Sequence, residues 1–528
     1  MSDTTTHTDA SPQAMPVPFA NVALCLDDRD NVAIAKCELQ AGNLLVDPPQ
    51  PHARLTVRQS IPPGHKVALR EIERGQPVLR YGQVLGLATQ AIQPGEHVHI
   101  HNVSVHGVDR EHAFAVDVEP VALVPESERR TFLGYRRENG QVGTRNYLAV
   151  ISTVNCSAHV TRAIAYHFTP ERLAAFPNVD GVIALTHPYG CPIHYPVLER
   201  TLVGMARHPN VGAYVLVGLG CETNQAGHLV EAYGLHCCED LFPDGPPALV
   251  IQELGGIRKT VQAGIQAVER LLPAVNAVER TVQPISDLML ALQCGGSDSW
   301  SGVTANPVVG RMADALVRQG GTVVLAETPE IYGAEHLLTR RAVDANIGHK
   351  LLALVQEWEA YARRVGLELD DNRSVGNEAG GLTTIFEKSL GAVVKAGSTP
   401  LTGVYQYAEQ VTAQGFAFMN SPGYDPVSVT GQVAGGCNLV VFTTGRGSVF
   451  GFKPAPSLKV STTSALYERM CDDMDLDAGR VLDGADVDGV AAELLDLVLA
   501  TASGQPSKSE AQGVGEAEFC PWNVEGTL

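Results

Sequence analysis

Four cysteines follow shortly after stretches whose apolar pattern predicts buried strands. They are Cys156, Cys191, Cys221 and Cys294, and the last three have a glycine beside them. Taken one at a time, each is better explained as a small buried side chain, since free cysteine is often buried. Taken together they predict a site, because ligands of open parallel sheets bind beyond the carboxyl ends of the strands. The same segments carry three polar side chains that suit a site, namely His187, Glu222 and Asp298.

Three histidines alternate with apolar residues at His97, His99 and His101. Alternate side chains on a strand face the same way, so the three imidazoles would share one face. A His-x-His pair on a strand can chelate one ion, and imidazole suits zinc, iron, copper and nickel. The alternative is a solvated face that happens to be histidine, but three in register favour a metal or substrate contact. Lys66, next to His65, could hold a carboxylate or be merely solvated.

Two glycine-rich segments are candidate anion-binding loops. Residues 375–381, Val-Gly-Asn-Glu-Ala-Gly-Gly, fit either such a loop or a flexible hinge. Residues 443–448 follow a predicted strand and contain Arg446, which could grip a carboxylate with both arms of its guanidinium. A tight turn with a solvated arginine explains that spacing equally well. Neither segment has the glycine pattern of a P-loop or of a dinucleotide-binding fold, which disfavours nucleotide binding.

The elements that would position these residues change character along the chain. Over the first hundred residues, short apolar runs alternate with turn signals, which is typical of a small all-β unit. Those runs are 31–35, 65–69, 78–81, 84–88 and 97–101. From Gly134 onward, near-continuous apolar strands alternate with helical stretches. This pattern predicts an α/β fold, with a parallel sheet covered by helices on both faces.

The predicted elements divide the chain into five parts. The strands expected after Gly134 are 147–153, 181–186, 214–219, 248–252, 288–293, 322–326, 416–419, 439–443 and 457–460. The helices expected there include 158–167, 307–319 and 490–500. We predict a disordered tail over 1–18, a β domain over 19–105, a linker over 106–130, an α/β domain over 131–374 and a C-terminal α/β domain over 375–528.

The composition of the 528 residues excludes several classes of protein. Hydrophobic residues make up 45%, which is material for several buried cores. The formal charge of −20 and the lack of a basic stripe argue against nucleic-acid binding. No apolar run approaches the roughly 20 residues that span a bilayer, and residues 1–18 lack the pattern of a signal peptide. Eleven cysteines without such a signal point to a reducing compartment, the cytoplasm.

Several long motifs resemble, in the same order, those of the altronate and galactarate dehydratases. They are 134–137 (GYRR), 143–146 (GTRN), 187–191 (HPYGC), 218–222 (GLGCE), 293–298 (QCGGSD), 301–307 (SGVTANP) and 444–447 (TGRG). The resemblance covers about residues 31–479, and residues 64–69 and 97–102 resemble that family's small SAF (β-clip) domain. The histidine-rich segment is closer to altronate than to galactarate dehydratases. The family commonly has Gly-Asn-Lys where this chain has Gly-Asn-Glu at 376–378, which leaves the acid substrate open.

The resemblance implies removal of water from a hexonate or hexarate to give a 2-keto-3-deoxy sugar acid, with Fe²⁺ or, alternatively, Mn²⁺. A metal on the carboxylate would stabilise the enediolate, while a base takes the C2 proton and an acid helps the C3 hydroxyl leave. The candidate proton-transfer residues are His187, Glu222 and Lys66. The candidate metal ligands are His97, His99, Cys156, Cys191, Cys221 and Cys294. The candidate substrate-binding residues are Arg145, Ser297, Asp298, Thr304, Asn306 and Arg446.

Two other functions remain open from the sequence. A related branch, a sulfo-lyase that releases sulfite from sulfolactate, shares the fold and the metal chemistry. The SAF-like unit could instead mark a carbohydrate-binding protein without turnover, but polar groups converge on strand ends in the larger part, which favours an enzyme. The expected partner is a small sugar acid, without nucleic acid or membrane, and a monomer and a homo-oligomer both remain open.

Overall fold

The structure, a computed structural model, describes residues 16–49, 54–108, 110–191, 195–243 and 245–523. Its strands are β1 (Pro16–Pro18), β2 (Ala23–Leu24), β3 (Val32–Ala35), β4 (Leu44–Val46), β5 (Arg54–Thr56), β6 (Lys66–Ala68), β7 (Pro77–Arg80), β8 (Gln83–Ala88), β9 (His97–Val98), β10 (Val103–Ser104), β11 (Thr131–Arg136), β12 (Val142–Gly143), β13 (Tyr147–Ser152), β14 (Gly181–Leu185), β15 (Val211–Gly218), β16 (Ala248–Val250), β17 (Thr281–Pro284), β18 (Met289–Cys294), β19 (Thr322–Leu325), β20 (Leu401–Tyr405), β21 (Gly415–Met419), β22 (Leu439–Thr444), β23 (Ser457–Ser461) and β24 (Leu476–Asp477). Its α-helices are α1 (Phe19–Val22), α2 (Ala158–Ala165), α3 (Pro170–Leu173), α4 (Pro196–Ala206), α5 (Ala226–Tyr233), α6 (Ile251–Leu254), α7 (Ile257–Asn276), α8 (Ala305–Arg318), α9 (Glu335–Thr339), α10 (Ala345–Val365), α11 (Val375–Ala379), α12 (Ile385–Val393), α13 (Asp425–Ala434), α14 (Ser464–Arg469), α15 (Val487–Ala502) and α16 (Lys508–Ala511).

The chain divides into two compact units. Unit 1 contains residues 1–109 and 373–390, and unit 2 contains residues 110–372 and 391–528. The predicted tail lies outside the described residues except for its last three, which form β1 and pair with β4. No helix among the described residues is both long enough and apolar enough to cross a membrane.

Unit 1 is built mainly from short antiparallel strands, as its alternating apolar runs predict. Its sheets have the orders β2-β3-β6-β9, β10-β8-β7 and β1-β4-β5. The predicted strand over 97–101 is too long, because the chain turns after Val98. Asn102 causes this turn: its side-chain oxygen accepts from the His99 N–H at 2.9 Å, and its amide donates to the His97 carbonyl at 2.9 Å. His101 therefore lies exposed on a turn and not on a strand.

The glycine-rich segment at 375–381 is neither an extended anion-binding loop nor a hinge. Residues 375–379 form the short helix α11, which begins with a capping box. The Ser374 hydroxyl accepts from the Asn377 N–H at 3.2 Å, and the Asn377 side chain accepts from the Ser374 N–H at 2.9 Å. These bonds satisfy the first helical N–H groups, so the local sequence favours a helical turn over an open loop.

Unit 2 contains two parallel sheets, which confirms the predicted α/β class. The smaller sheet has the order β14-β13-β15-β16 and the larger one β20-β21-β19-β18-β22-β23-β24. Helices flank both sheets. The predicted boundary at residues 374/375 does not separate two sheets, since β18 pairs with both β19 and β22. The apolar pattern predicts where strands occur but carries no information about which strands pair.

From Arg110 onward, the segment predicted as a linker forms hydrogen bonds to unit 2. The Ala115 N–H donates to the Thr339 carbonyl at 3.0 Å, and the Val124 N–H donates to the Arg318 carbonyl at 2.7 Å. Its charges and prolines are therefore not those of a mobile connection. They belong to an irregular segment whose polar groups find partners on the unit 2 helices.

Candidate functional site

Three imidazoles meet within unit 1. His65 immediately precedes β6 and His97 begins β9, and these strands pair antiparallel with Val67 opposite His97. His65 Nδ1 lies 3.0 Å from His97 Nε2. The ligand atoms of His65, His97 and His99 all lie within 4.8 Å of one another. The sequence pattern points to His97 and His99, but only the strand pairing brings His65 to them.

The environment keeps these imidazoles neutral. Burial lowers the pKa of His65. Burial together with the neighbouring His65 lowers the pKa of His97 to about 3, and burial together with Lys66 lowers that of His99 to about 3. A neutral imidazole offers a nitrogen lone pair to a metal ion. His99 Nδ1 also lies 3.1 Å from the Thr383 hydroxyl, a contact of the kind that orients the ring of a metal ligand.

A fully buried ion cluster lies next to the histidines in unit 1. Lys66 Nζ donates to both carboxylate oxygens of Glu387 at 2.9 Å and to the Gly381 carbonyl at 2.6 Å. Arg80 pairs with the same carboxylate. The carboxylate that Lys66 holds is thus one from the protein itself. Because more than 300 positions separate the partners, the sequence pattern does not reveal Glu387 or Arg80.

The acid stability of unit 1 should depend on this carboxylate. Burial by itself would raise the pKa of Glu387, but Lys66 and Arg80 lower it well below its usual range. Such a group contributes stability above its unfolded pKa, about 4.3, and that contribution is lost as the pH falls through the folded value. We expect the free energy of unfolding to fall steadily below about pH 4.3. Glu387→Gln should be less stable at neutral pH and should lack this dependence, and an equal slope in both proteins would contradict the assignment.

Three of the four predicted cysteines come together in unit 2. Cys156, Cys191 and Cys221 follow three strands that are neighbours in the smaller sheet, β13, β14 and β15. Burial and the adjacent Cys156 and Cys221 thiols raise the pKa of the Cys191 thiol. These three residues therefore lie together at strand ends, as the sequence pattern predicts.

Cys294 lies in the larger sheet, at the end of β18. It is buried, and its thiol donates to a carboxylate oxygen of Glu330 at 3.2 Å. Glu327 and Lys395 complete a buried charged group around it. Burial raises the pKa of the thiol to about 12, so Cys294 is held as a neutral thiol. The sequence does not indicate that Glu327 and Lys395 belong to this group, because neither residue falls in a motif.

His187 and Glu222, the predicted base and acid, are engaged by neighbouring protein groups. The Tyr189 N–H donates to His187 Nδ1 at 3.2 Å, so Nε2 carries the proton and donates to the Ser152 carbonyl at 3.1 Å. Neither ring nitrogen is left for a substrate. Glu222 accepts hydrogen bonds from the N–H groups of Leu219 and Gly220 in its own loop and from the Thr153 hydroxyl just after β13. In this geometry both side chains hold the loops that carry the thiols, and the predicted proton-transfer roles would require these bonds to open.

Arg145 is likewise committed to the protein. Its five N–H bonds to acceptors are two to the Glu510 carboxylate and three to the carbonyls of Thr144, Thr501 and Gln505. A guanidinium has five donors, so none remains for a substrate carboxylate. The predicted substrate contact at Arg145 would therefore require some of these bonds to open.

The motif at 297–306 is bonded mainly to itself and to neighbouring strands. Asp298 accepts from the Ser301 hydroxyl at 3.0 Å and from the Thr462 hydroxyl at 3.1 Å. Thr304 donates to the Thr462 carbonyl at 2.7 Å, and Asn306 accepts from the Thr443 hydroxyl at 2.7 Å. Ser297 is buried next to Asp298. These side chains shape the edge of the larger sheet, and only a rearrangement would free them for a substrate.

Arg446 differs from the other predicted substrate-binding residues. It is exposed, and its backbone N–H donates to the Gly296 carbonyl at 2.8 Å. Within the described ranges, no ion pair or hydrogen bond engages its guanidinium. Its turn is therefore built by backbone contacts, which leaves the charged side chain available to a ligand.

Three family models together match most of the chain. Residues 21–106 match the altronate/galactarate dehydratase SAF domain. Residues 134–276 match the second domain of D-galactarate dehydratase/altronate hydrolase, and residues 285–527 match the C-terminal domain of D-galactarate/altronate dehydratase.

Curated relatives match over nearly their full length. Altronate dehydratase from Bacillus subtilis is 35% identical, covering 90% of this chain and 94% of the relative. Galactarate dehydratase (L-threo-forming) from Escherichia coli is 36% identical, covering 90% and 92%. The beta subunit of (2R)-sulfolactate sulfo-lyase from Chromohalobacter salexigens is 32% identical, covering 75% and 97%.

Proposed function

The chain belongs to the altronate/galactarate dehydratase family, and on that basis we propose that it removes water from a hexonate or a hexarate. The product would be a 2-keto-3-deoxy sugar acid. The observation that carries the proposal beyond family membership is the group of three neutral imidazoles next to the buried Lys66–Glu387 pair. Removing a C2 proton beside a carboxylate builds up negative charge, and a site for this reaction must stabilise that charge.

We propose His65, His97 and His99 as the ligands of a divalent metal ion. Three imidazoles with ligand atoms within 4.8 Å of one another form a donor set that suits iron, with Mn²⁺ as the alternative ion. When bound, the ion would act as a Lewis acid toward the substrate's carboxylate. The Thr383 hydroxyl would keep the His99 ring in the orientation that binding requires.

Lys66 remains the proposed proton-transfer residue. Burial lowers the pKa of its ammonium, against the opposing effect of Glu387. Such a shift brings an amine closer to the range in which it can accept and return a proton near neutral pH. Its three hydrogen bonds to Glu387 and Gly381 fix the position of Nζ, and one of them must open for Nζ to meet a substrate.

Arg446 is the proposed carboxylate-binding residue of unit 2. We expect Arg446→Lys to keep the fold but to raise KM about tenfold, because an ammonium cannot reproduce bidentate contacts. Arg446→Ala should lose more, and the loss should be in KM if the contact is equal in the ground and transition states. Steady-state kinetics of both variants test this, with exposed Arg469→Ala as the matched control. Unchanged kinetics in Arg446→Ala would make the residue a turn element only.

A substrate panel tests the proposed reaction directly. The full chain should release a 2-keto-3-deoxy acid from at least one hexonate or hexarate, and no sulfite from sulfolactate. The sulfo-lyase remains the second candidate because the beta subunit of one such enzyme matches most of this chain. Sulfite release without dehydration would favour it, and binding of a sugar acid without any turnover would favour a carbohydrate-binding protein.

Two further properties complete the proposal. The eleven cysteines are all free thiols, which supports the cytoplasm as the proposed compartment. Because one relative is named as a subunit, we expect a multimer. Sedimentation of the full chain would distinguish a monomer from a homo-oligomer.

A further inference from the structure

Three thiols converge on the carboxyl edge of the smaller sheet in unit 2. Cys156 lies in a 3₁₀ turn after β13, Cys191 lies six residues after the end of β14, and Cys221 lies three residues after the end of β15. In the sheet, β13 lies between β14 and β15. The topology thus delivers one cysteine from each of three adjacent strands to the same edge.

Hydrogen bonds tie the three loops together. The Asn155 N–H, next to Cys156, donates to the Tyr189 carbonyl at 2.8 Å. The Thr223 N–H and hydroxyl, just beyond Cys221, both donate to the Cys191 carbonyl, at 3.0 and 3.1 Å. The Cys191 loop is therefore anchored to each of the others, so the thiols are held near one another by the backbone.

The accessibility and the potential negative charge of the three thiols favour binding of a cation. Cys156 and Cys221 are exposed and Cys191 is half-buried, so all three can be reached from solvent. Three thiolates at one place repel each other, whereas a cationic centre would stabilise them as its ligands. The Gln252 amide donates to the Cys221 sulfur at 3.6 Å, a contact of the kind that tunes sulfur ligands of metal centres.

The sulfurs of the three thiols do not all lie within 4.8 Å of one another, which favours a polynuclear centre over a single ion. A tetrahedral ion with metal–sulfur bonds near 2.3 Å would bring its sulfurs to about 3.8 Å from one another. Among the described residues, two groups have ligand atoms that all lie within 4.8 Å of one another, namely the histidines of unit 1 and the group around Cys294. Cys156, Cys191 and Cys221 do not form such a group. An iron–sulfur cluster distributes its thiolate ligands over several irons and so tolerates wider spacing.

We propose that Cys156, Cys191 and Cys221 bind a [4Fe–4S] cluster. Three irons would each take one thiolate, and the fourth iron would have no cysteine ligand. The nearby His187 and Glu222 are bonded to backbone groups and do not compete for it. This centre is separate from the histidine-held ion and does not depend on the proposed dehydratase reaction.

The test is cluster content in the full chain. After anaerobic reconstitution with Fe²⁺ and sulfide, the protein should hold about four acid-labile sulfides and about five irons, four in the cluster and one at the histidines of unit 1, and should show the broad visible absorption of iron–thiolate bonds. Cys156→Ser, Cys191→Ser and Cys221→Ser should each lose at least half of the labile sulfide, and the triple variant should lose all of it. Cys471→Ser, an exposed cysteine of the same unit, is the matched control and should lose none.

A second measurement does not depend on how the variants fold. In the reconstituted protein, the three thiols should resist alkylation, and they should react once a chelator has removed the iron, as read by peptide mass spectrometry. One zinc or iron per chain without labile sulfide would overturn the proposal, as would equal labile sulfide in the triple variant. His97→Ala should keep the visible absorption, so a failed dehydratase assay and a failed cluster assay remain distinguishable.

Discussion

Replacing His97 by alanine should lower kcat/KM for the sugar acid by at least about 100-fold. Loss of a side chain that only orients a metal ligand already costs about 10–100-fold, and loss of a ligand should cost more. The ligand atoms of the three histidines lie within 4.8 Å of one another, so removing His97 leaves only two imidazoles. In the purified variant, the metal bound in addition to the four cluster irons should fall in parallel with activity. In the wild type, chelation should abolish activity and Fe²⁺ should restore it better than Mg²⁺.

The matched control for this prediction is His101→Ala. His101 lies in the same turn, with its ring centroid 5.3 Å from that of His97, but it is exposed and outside the group of ligand atoms. We expect near-wild-type activity and metal content in this variant. If both variants lost activity equally, the segment would matter for its fold and the metal assignment to His97 would be wrong. Full activity of metal-free wild-type protein would likewise show that the metal assignment to His97 is wrong.

Replacing Glu387 by glutamine should destabilise the protein by about 3–5 kcal/mol. Removing one partner of a buried ion pair leaves the remaining charge uncompensated, which is the origin of that cost. Here two cations, Lys66 and Arg80, would lose their common carboxylate in a fully buried environment. Chemical denaturation followed by circular dichroism would measure the loss, and hydrogen exchange should place it among the strands of unit 1.

Glu73→Gln is the matched control, because it removes the same charge from an exposed position of unit 1. It should change stability by less than about 0.5 kcal/mol. A double variant that also replaces Lys66 by methionine should recover part of the loss in Glu387→Gln, since one uncompensated cation is then gone. Equal stability of Glu387→Gln and Glu73→Gln would show that the buried ion cluster does not stabilise unit 1.

Local pattern was enough to predict most of the strands. The expected strand at 147–153 is β13, and the one at 439–443 is β22. Both consist of consecutive buried residues that are apolar except at the carboxyl end, and such a run has the same appearance in the sequence whatever lies next to it. The strand expected at 97–101 was too long because a side chain four residues beyond Val98, that of Asn102, ends it by bonding to the backbone.

Residue types were a less reliable guide to the site. His187, Glu222 and Arg145 have the chemistry that a sugar-acid site needs, and their motifs led to the correct family. Their hydrogen-bonding groups are nevertheless used by backbone and side-chain partners of the same protein. A side chain's type shows what it can bind, whereas the number of donors and acceptors still available depends on its neighbours in three dimensions.

The sequence by itself determined the α/β class, the small β unit before it, the family and the position of Cys156, Cys191, Cys221 and Cys294 at or just beyond the carboxyl ends of strands. All of these follow from short-range patterns, from motif order or from the rule that parallel strands present their carboxyl ends at one edge. Only the tertiary structure decided that residues on both sides of 375 share one sheet and that His65 joins His97 and His99. It also decided that Glu387 neutralises Lys66 from 321 positions away. Buried charges must be paired, but any carboxylate in the chain satisfies that requirement, and the fold selects which one does.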